Sequence, residues 1–197
     1  MIVRFIFLIL LMVSASFRVM AQEEAPVPVQ LSAVQTTNIE RWAEIYKIPK
    51  AEALEQYRIL VGNDFPREVK AIVFFEKRNA FEIAAAALLE ARDDNISGRM
   101  VDILENKKEF SRTCYEVAIR KLETLNNIPE ELEEQSSGEH VAGIEMVKSR
   151  LATLISKWVG IPDPDIIARV ADTKPGYRKF IAQAKLKAAG MTGDSPF

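Results

Sequence analysis

Residues 64–93, DFPREVKAIVFFEKRNAFEIAAAALLEARD, decide how this chain folds. Val69, Ile72, Val73, Phe75, Phe81, Ile83, Ala84, Ala87 and Leu88 recur at helical spacing, yet they fall on more than one face. A surface helix carries a single apolar stripe, whereas a helix that is apolar nearly all round has neighbours on every side. The stretch predicts one long helix, or two abutting ones, at the centre of a bundle. Its smooth run Ala84–Ala87 would let a neighbouring helix approach closely.

The same period extends in both directions. Upstream, Thr37 or Asn38 can cap a helix bearing Ile39, Trp42, Ala43, Ile45 and Tyr46. Pro49 opens a second helix that stops at Gly62-Asn63. Downstream, a break at Asp93–Gly98 precedes a long charged helix running to about Asn126, and residues 129–135 (PEELEEQ) form a short acidic turn or helix. Ser136 and Glu139 have capping-box spacing for a helix that carries Val141, Ile144, Leu151, Leu154, Ile155 and Trp158 and ends at Gly160. Pro164 opens a short helix through Ala171, and Pro175 opens a last one through Ala189. No strand-like alternation persists, and no repeat of solenoid period is present. The expected fold class is all-α: a single-domain helical bundle of roughly six or seven helices over residues 37–190, after an extended leader (22–36) and before a short tail (191–197).

The N-terminus predicts export. Phe5–Val13 (FIFLILLMV) has the length of a signal h-region, with Arg4 before it and Val19-Met20-Ala21 as a cleavage site, so residues 1–21 read as a signal peptide. The run is shorter than the about 20 apolar residues that cross a bilayer. No cysteine follows it to take a lipid, and no second apolar run approaches spanning length. Removing residues 1–21 takes away Arg4 and Arg18, so Lys plus Arg falls from 26 to 24 against 28 Asp plus Glu, and the net charge moves from −2 to −4. That balance gives no electrostatic footprint for nucleic acid. Cys114 is the only cysteine. An exported chain without an internal disulfide suits a bacterial envelope, the periplasm first and secretion second.

Little catalytic chemistry can be assembled. Ser-His-Asp and Cys-His hydrolases need an imidazole base, and the only histidine, His140, stands at a helix start, off the apolar stripe. Cys114 falls on a stripe with Phe110 and Val117, where a thiol is buried and inert. One His and one Cys cannot make a zinc site of the usual composition. The glycines are isolated, with no phosphate loop among them, so no cofactor is expected. Asp93, Asn95 and Ser97 with Gly98 match the first half of a calcium-binding EF-hand loop, but Val101 and Leu104 stand where the later oxygen ligands belong. The competing reading is an inter-helix turn in which Asn95 or Ser97 caps the next helix. Glu90, Glu116 and Glu145 read as ordinary helix-surface carboxylates.

Charge segregates more clearly. Glu130, Glu131, Glu133 and Glu134 form an acidic block, and Arg169, Lys174, Arg178, Lys179, Lys185 and Lys187 form a basic C-terminal region. In the last helix Tyr177, Phe180, Ile181 and Ala184 share a face, which is either a core stripe or a side that docks on an anionic membrane or an acidic partner. These features predict an exported, non-catalytic helical interaction protein: a subunit, adaptor or chaperone of a bacterial envelope assembly such as a secretion, conjugation or motility apparatus. Its partners are then envelope proteins, with peripheral membrane contact through the basic helix. The alternatives are a peptidoglycan-active enzyme that cuts glycan with a carboxylate acid, and a weak calcium-responsive module.

Overall fold

A computed structural model describes residues 29–62, 65–109, 111–129, 132, 137–161 and 173–190. The expected signal peptide, residues 22–28 of the leader, the four glutamates of the Glu130–Glu134 block, Arg169, the Pro164–Ala171 helix and the C-terminal tail lie outside the described residues. Within them the chain is all-helical, with eight helices and no strand. They are α1 (Ala33–Ile45), α2 (Lys50–Val61), α3 (Phe65–Glu76), α4 (Phe81–Glu90), α5 (Asp94–Glu105), α6 (Arg112–Asn126), α7 (Gly138–Val159) and α8 (Lys174–Gly190).

Helix α4 is the centre. Ile83, Ala84, Ala85, Ala87 and Leu88 are all buried, and α4 packs against α1, α2, α3, α5 and α6. Helix α7 crosses α5 and α6, and α8 lies along α6 and α7. Residues 64–93 thus hold two helices, and the join between them has a local cause. Asn79 takes a left-handed conformation (φ 49°), which asparagine tolerates. The Ala80 amide then donates back to the Phe75 carbonyl at 3.2 Å, closing the end of α3 as a Schellman turn. Lys47 (φ 55°) and Gly160 (φ 61°) end α1 and α7 in the same way, with Ile48 donating to Ala43 and Ile161 to Ser156. In all three turns the residue after the left-handed one is buried: Ile48, Ala80 and Ile161.

Several helix starts differ from expectation. Helix α1 begins at Ala33, inside the expected leader, because Ser32 and Gln35 cap it reciprocally; neither Thr37 nor Asn38 is the cap. Helix α5 is capped by Asp93, whose carboxylate accepts from the amides of Asn95 (2.7 Å) and Ile96 (3.1 Å). The cap of α7 is Ser137 rather than Ser136, its hydroxyl accepting from the His140 amide. The charged helix expected to run to Asn126 is broken into α5 and α6. Ser111 caps α6, and its hydroxyl donates to Glu82 at 3.0 Å. Glu82 also receives the Tyr46 hydroxyl and an ion pair from Lys107 at 3.5 Å. One partly buried carboxylate on α4 therefore gathers the α5–α6 turn and the end of α1.

Candidate functional site

A groove of about 400 Å³ opens over α4, walled by α1 and α6 and floored in part by α2. Ala86, the half-exposed member of the alanine run, leaves the space. Trp42 on α1 and Val117 on α6 are half-buried in its walls. Tyr57 reaches it from α2 and is fully buried, its phenol beside the Glu90 carboxylate. Burial pushes the Tyr57 phenol well above its usual range, and the charge and hydrogen bond of Glu90 push it further. Glu90 also accepts from the Gln35 amide at 2.5 Å. A second hollow of about 540 Å³, between Val29, Gly62 and Arg92, shares Gln35 and Glu90 with the groove. The two form one trough.

The groove carboxylates are occupied. Glu90 holds Gln35, and Glu116 pairs with Arg112 at 2.7 Å. Arg41 on α1 and Arg120 on α6 line the groove, both exposed and without an ion pair among the described residues. The groove thus presents hydrogen-bond donors beside an aromatic wall. Trp, Tyr and Arg are also the side chains that dominate binding energy in protein interfaces.

The sequence-predicted residues lie elsewhere. Asp93 is spent on its cap, Asn95 lies in the first turn of α5, and Ser97 and Gly98 are buried within that helix. The expected half-loop is therefore a helix N-terminus, with its carboxylate turned onto amides. Among the described residues no group of three or more His, Cys, Asp or Glu could hold a metal ion. On the basic helix, Lys174 donates to the Ile128 carbonyl at 2.9 Å, and Lys185 pairs with Glu123 at 2.7 Å. Lys187 reaches the carbonyls that end α7, at 3.3 and 3.4 Å. Arg178 and Lys179 remain exposed. The apolar face of α8 is in the core, with Tyr177, Phe180, Ile181 and Ala184 buried. No described helix is long and apolar enough to cross a membrane.

Two further polar sites have structural uses. His140 Nδ1 lies 2.8 Å from Asp94, joining the starts of α5 and α7. Gly143 permits this contact, since a Cβ there would sit 2.8 Å from the Asp94 carboxylate. Burial raises the Asp94 pKa, and His140 opposes that rise. Beneath it, buried Lys121 donates to the Ala91 carbonyl at 2.6 Å, and burial lowers its pKa against the pull of Asp94. Cys114 is fully buried, its thiol pushed up to about 12 by burial and by the nearby Glu82 charge. Among the three carboxylates read as surface residues, Glu145 pairs with buried Lys148 at 2.6 Å.

The groove was missed because its members are spread over four helices. Its one signal in sequence is Trp42, which spacing alone places on a helix with Ile39 and Ala43. No family model, curated protein or solved structure matches the chain.

Proposed function

We propose that the chain is an exported, non-catalytic helical interaction protein, serving as a subunit, adaptor or chaperone of a bacterial envelope assembly, and that it holds a protein partner in the α1–α6 groove. The observation that supports this most is the pair of exposed arginines, Arg41 and Arg120, which stand beside the half-buried Trp42 without an ion pair among the described residues. A partner's acceptor atoms would engage them. The glycan-cleaving alternative has less support, because Glu116 and Glu145 are ion-paired and Glu90 is hydrogen-bonded to Gln35.

The test is site-specific photocrosslinking in intact cells. A photoreactive residue at Asn38 or Thr113, in the groove, is expected to trap a discrete partner, while one at Lys179 on α8 traps none. Adducts at Lys179 alone would defeat the groove reading. Terminal sequencing of the protein recovered from the periplasm is expected to begin at Gln22. An intact Met1 on protein confined to the cytoplasm would defeat the export reading.

A further inference from the structure

Resting on that reading of the groove, we infer that its occupant is an acidic segment of a partner protein, lying along the trough with its carboxylates on Arg41, Arg120 and Arg92. The trough's charges are unequally used. Its two carboxylates, Glu90 and Glu116, are already held by Gln35 and Arg112. Arg41, Arg120 and Arg92 are exposed and have no ion pair among the described residues. Three cations are therefore without an ion pair among the described residues against one carboxylate, Glu90, that is held by a neutral amide, which leaves the trough with an excess of positive charge. Guanidinium groups make strong, directional, charge-assisted bonds to carboxylates.

Gln35 is turned inward, its nitrogen donating to Glu90 and its oxygen accepting from the Ser32 amide at 2.6 Å. The exposed charged donors of the site are therefore the guanidiniums, which take acceptors. Shape argues for a chain rather than a single ion, because the groove and the adjoining hollow, about 400 and 540 Å³, meet at Gln35 and Glu90. The half-buried Trp42 gives apolar or proline residues between the carboxylates a surface to lie on.

The experiment measures fluorescence anisotropy with the full chain, as recovered from the envelope fraction, against three degenerate octapeptide pools. Each pool mixes Pro, Phe, Leu and Ala at four positions. The other four hold Glu and Asp, or Gln and Asn, or Lys and Arg. The acidic pool is expected to bind at least about tenfold more tightly than the amide pool, and to weaken as salt is raised. Arg41→Glu with Arg120→Glu is expected to remove about tenfold or more of that binding, with an unchanged melting temperature because both side chains are exposed.

Equal binding of the amide pool, or indifference to the double arginine reversal, overturns the acidic assignment. If Trp42→Ala still abolishes that binding, the groove reading survives alone. Equal competition by polyphosphate of matched charge overturns the peptide assignment in favour of a simple anion site. If no pool binds, the acidic inference fails, and the Asn38 and Thr113 crosslinks separately decide whether the groove holds a partner.

Discussion

Helix α8 and the α1–α6 groove both carry cations, and they use them in opposite ways. On α8, Lys174 and Lys187 reach backbone carbonyls at the ends of neighbouring helices, and Lys185 pairs with Glu123 on α6. Its aromatic face is spent as well. Tyr177 lies under the Lys148 ammonium at 4.4 Å, and the Ala184 carbonyl accepts the Tyr115 hydroxyl at 2.7 Å. In the groove Arg41 and Arg120 have no ion pair among the described residues. A density of positive charge along a sequence therefore says little about where a protein binds. What matters is which polar groups the fold has left without a use.

The sharpest way to break this contrast is to remove the α8 anchor. Phe180→Ala is expected to destabilise the chain by about 3 kcal/mol or more, as truncation of a buried phenylalanine does. A urea titration reads this, and a loss near zero would mean that α8 does not belong to the core.

A matched pair of tyrosines tests the polar half of the comparison. Tyr115→Phe deletes a satisfied hydrogen bond to the Ala184 carbonyl and should cost about 1 kcal/mol. Tyr57→Phe deletes a buried phenol held by the Glu90 carboxylate and, because that acceptor is charged, should cost more, about 1.5–3 kcal/mol. A smaller loss at Tyr57 than at Tyr115 would mean that Glu90 does not hold the Tyr57 hydroxyl.

Alkaline titration separates the core side of α6 from its groove side. The Cys114 thiol sits at about 12 in the fold against an ordinary 9.0. Its contribution is fully present below pH 9 and is lost as pH rises toward 12, because the unfolded thiol ionises first. The stability gap between the chain and a Cys114→Ala variant should narrow over that window. The thiol should also resist disulfide reagents at pH 8 until the chain unfolds. Rapid labelling of the native protein would place Cys114 at the groove surface.

The smallest effect is expected at the rim of α8. The Lys185–Glu123 pair is about half exposed, so Lys185→Ala should cost less than about 1 kcal/mol, a loss that shrinks with salt. A larger, salt-insensitive loss would mean that α8 is held by its charges rather than by Phe180 and Tyr177.

Much of the fold was legible. The all-helical class followed from spacing, the central place of residues 81–90 from their apolar faces, and the burial of Cys114 from its neighbours one turn away; the other half of the 64–93 stretch, α3, lies to one side of the bundle with Val69 and Val73 exposed. These are properties of a 3.6-residue period, which a sequence displays directly. Helix ends were less legible. Ser32, Asp93 and Ser137 each stand beside or near another residue able to cap, and the choice depends on which first turn packs. The α5–α6 break depends on Ser111, Lys107 and Tyr46 meeting one carboxylate, Glu82, and no local pattern marks that meeting.

By itself the sequence determined the helices, their apolar faces and the scarcity of nucleophile and metal chemistry, because periodicity and residue inventory are carried one position at a time. Only the tertiary structure decided which charges and hydroxyls are used up. Gln35 and Glu90, Lys185 and Glu123, and Lys187 and the end of α7 are far apart along the chain. Whether a polar group is satisfied depends on distances of about 3 Å across the bundle, and spacing along the chain does not contain them. That is why the basic stretch that stands out in the sequence is largely consumed by the fold, while the groove that the fold leaves open is assembled from residues that stand far apart along the chain.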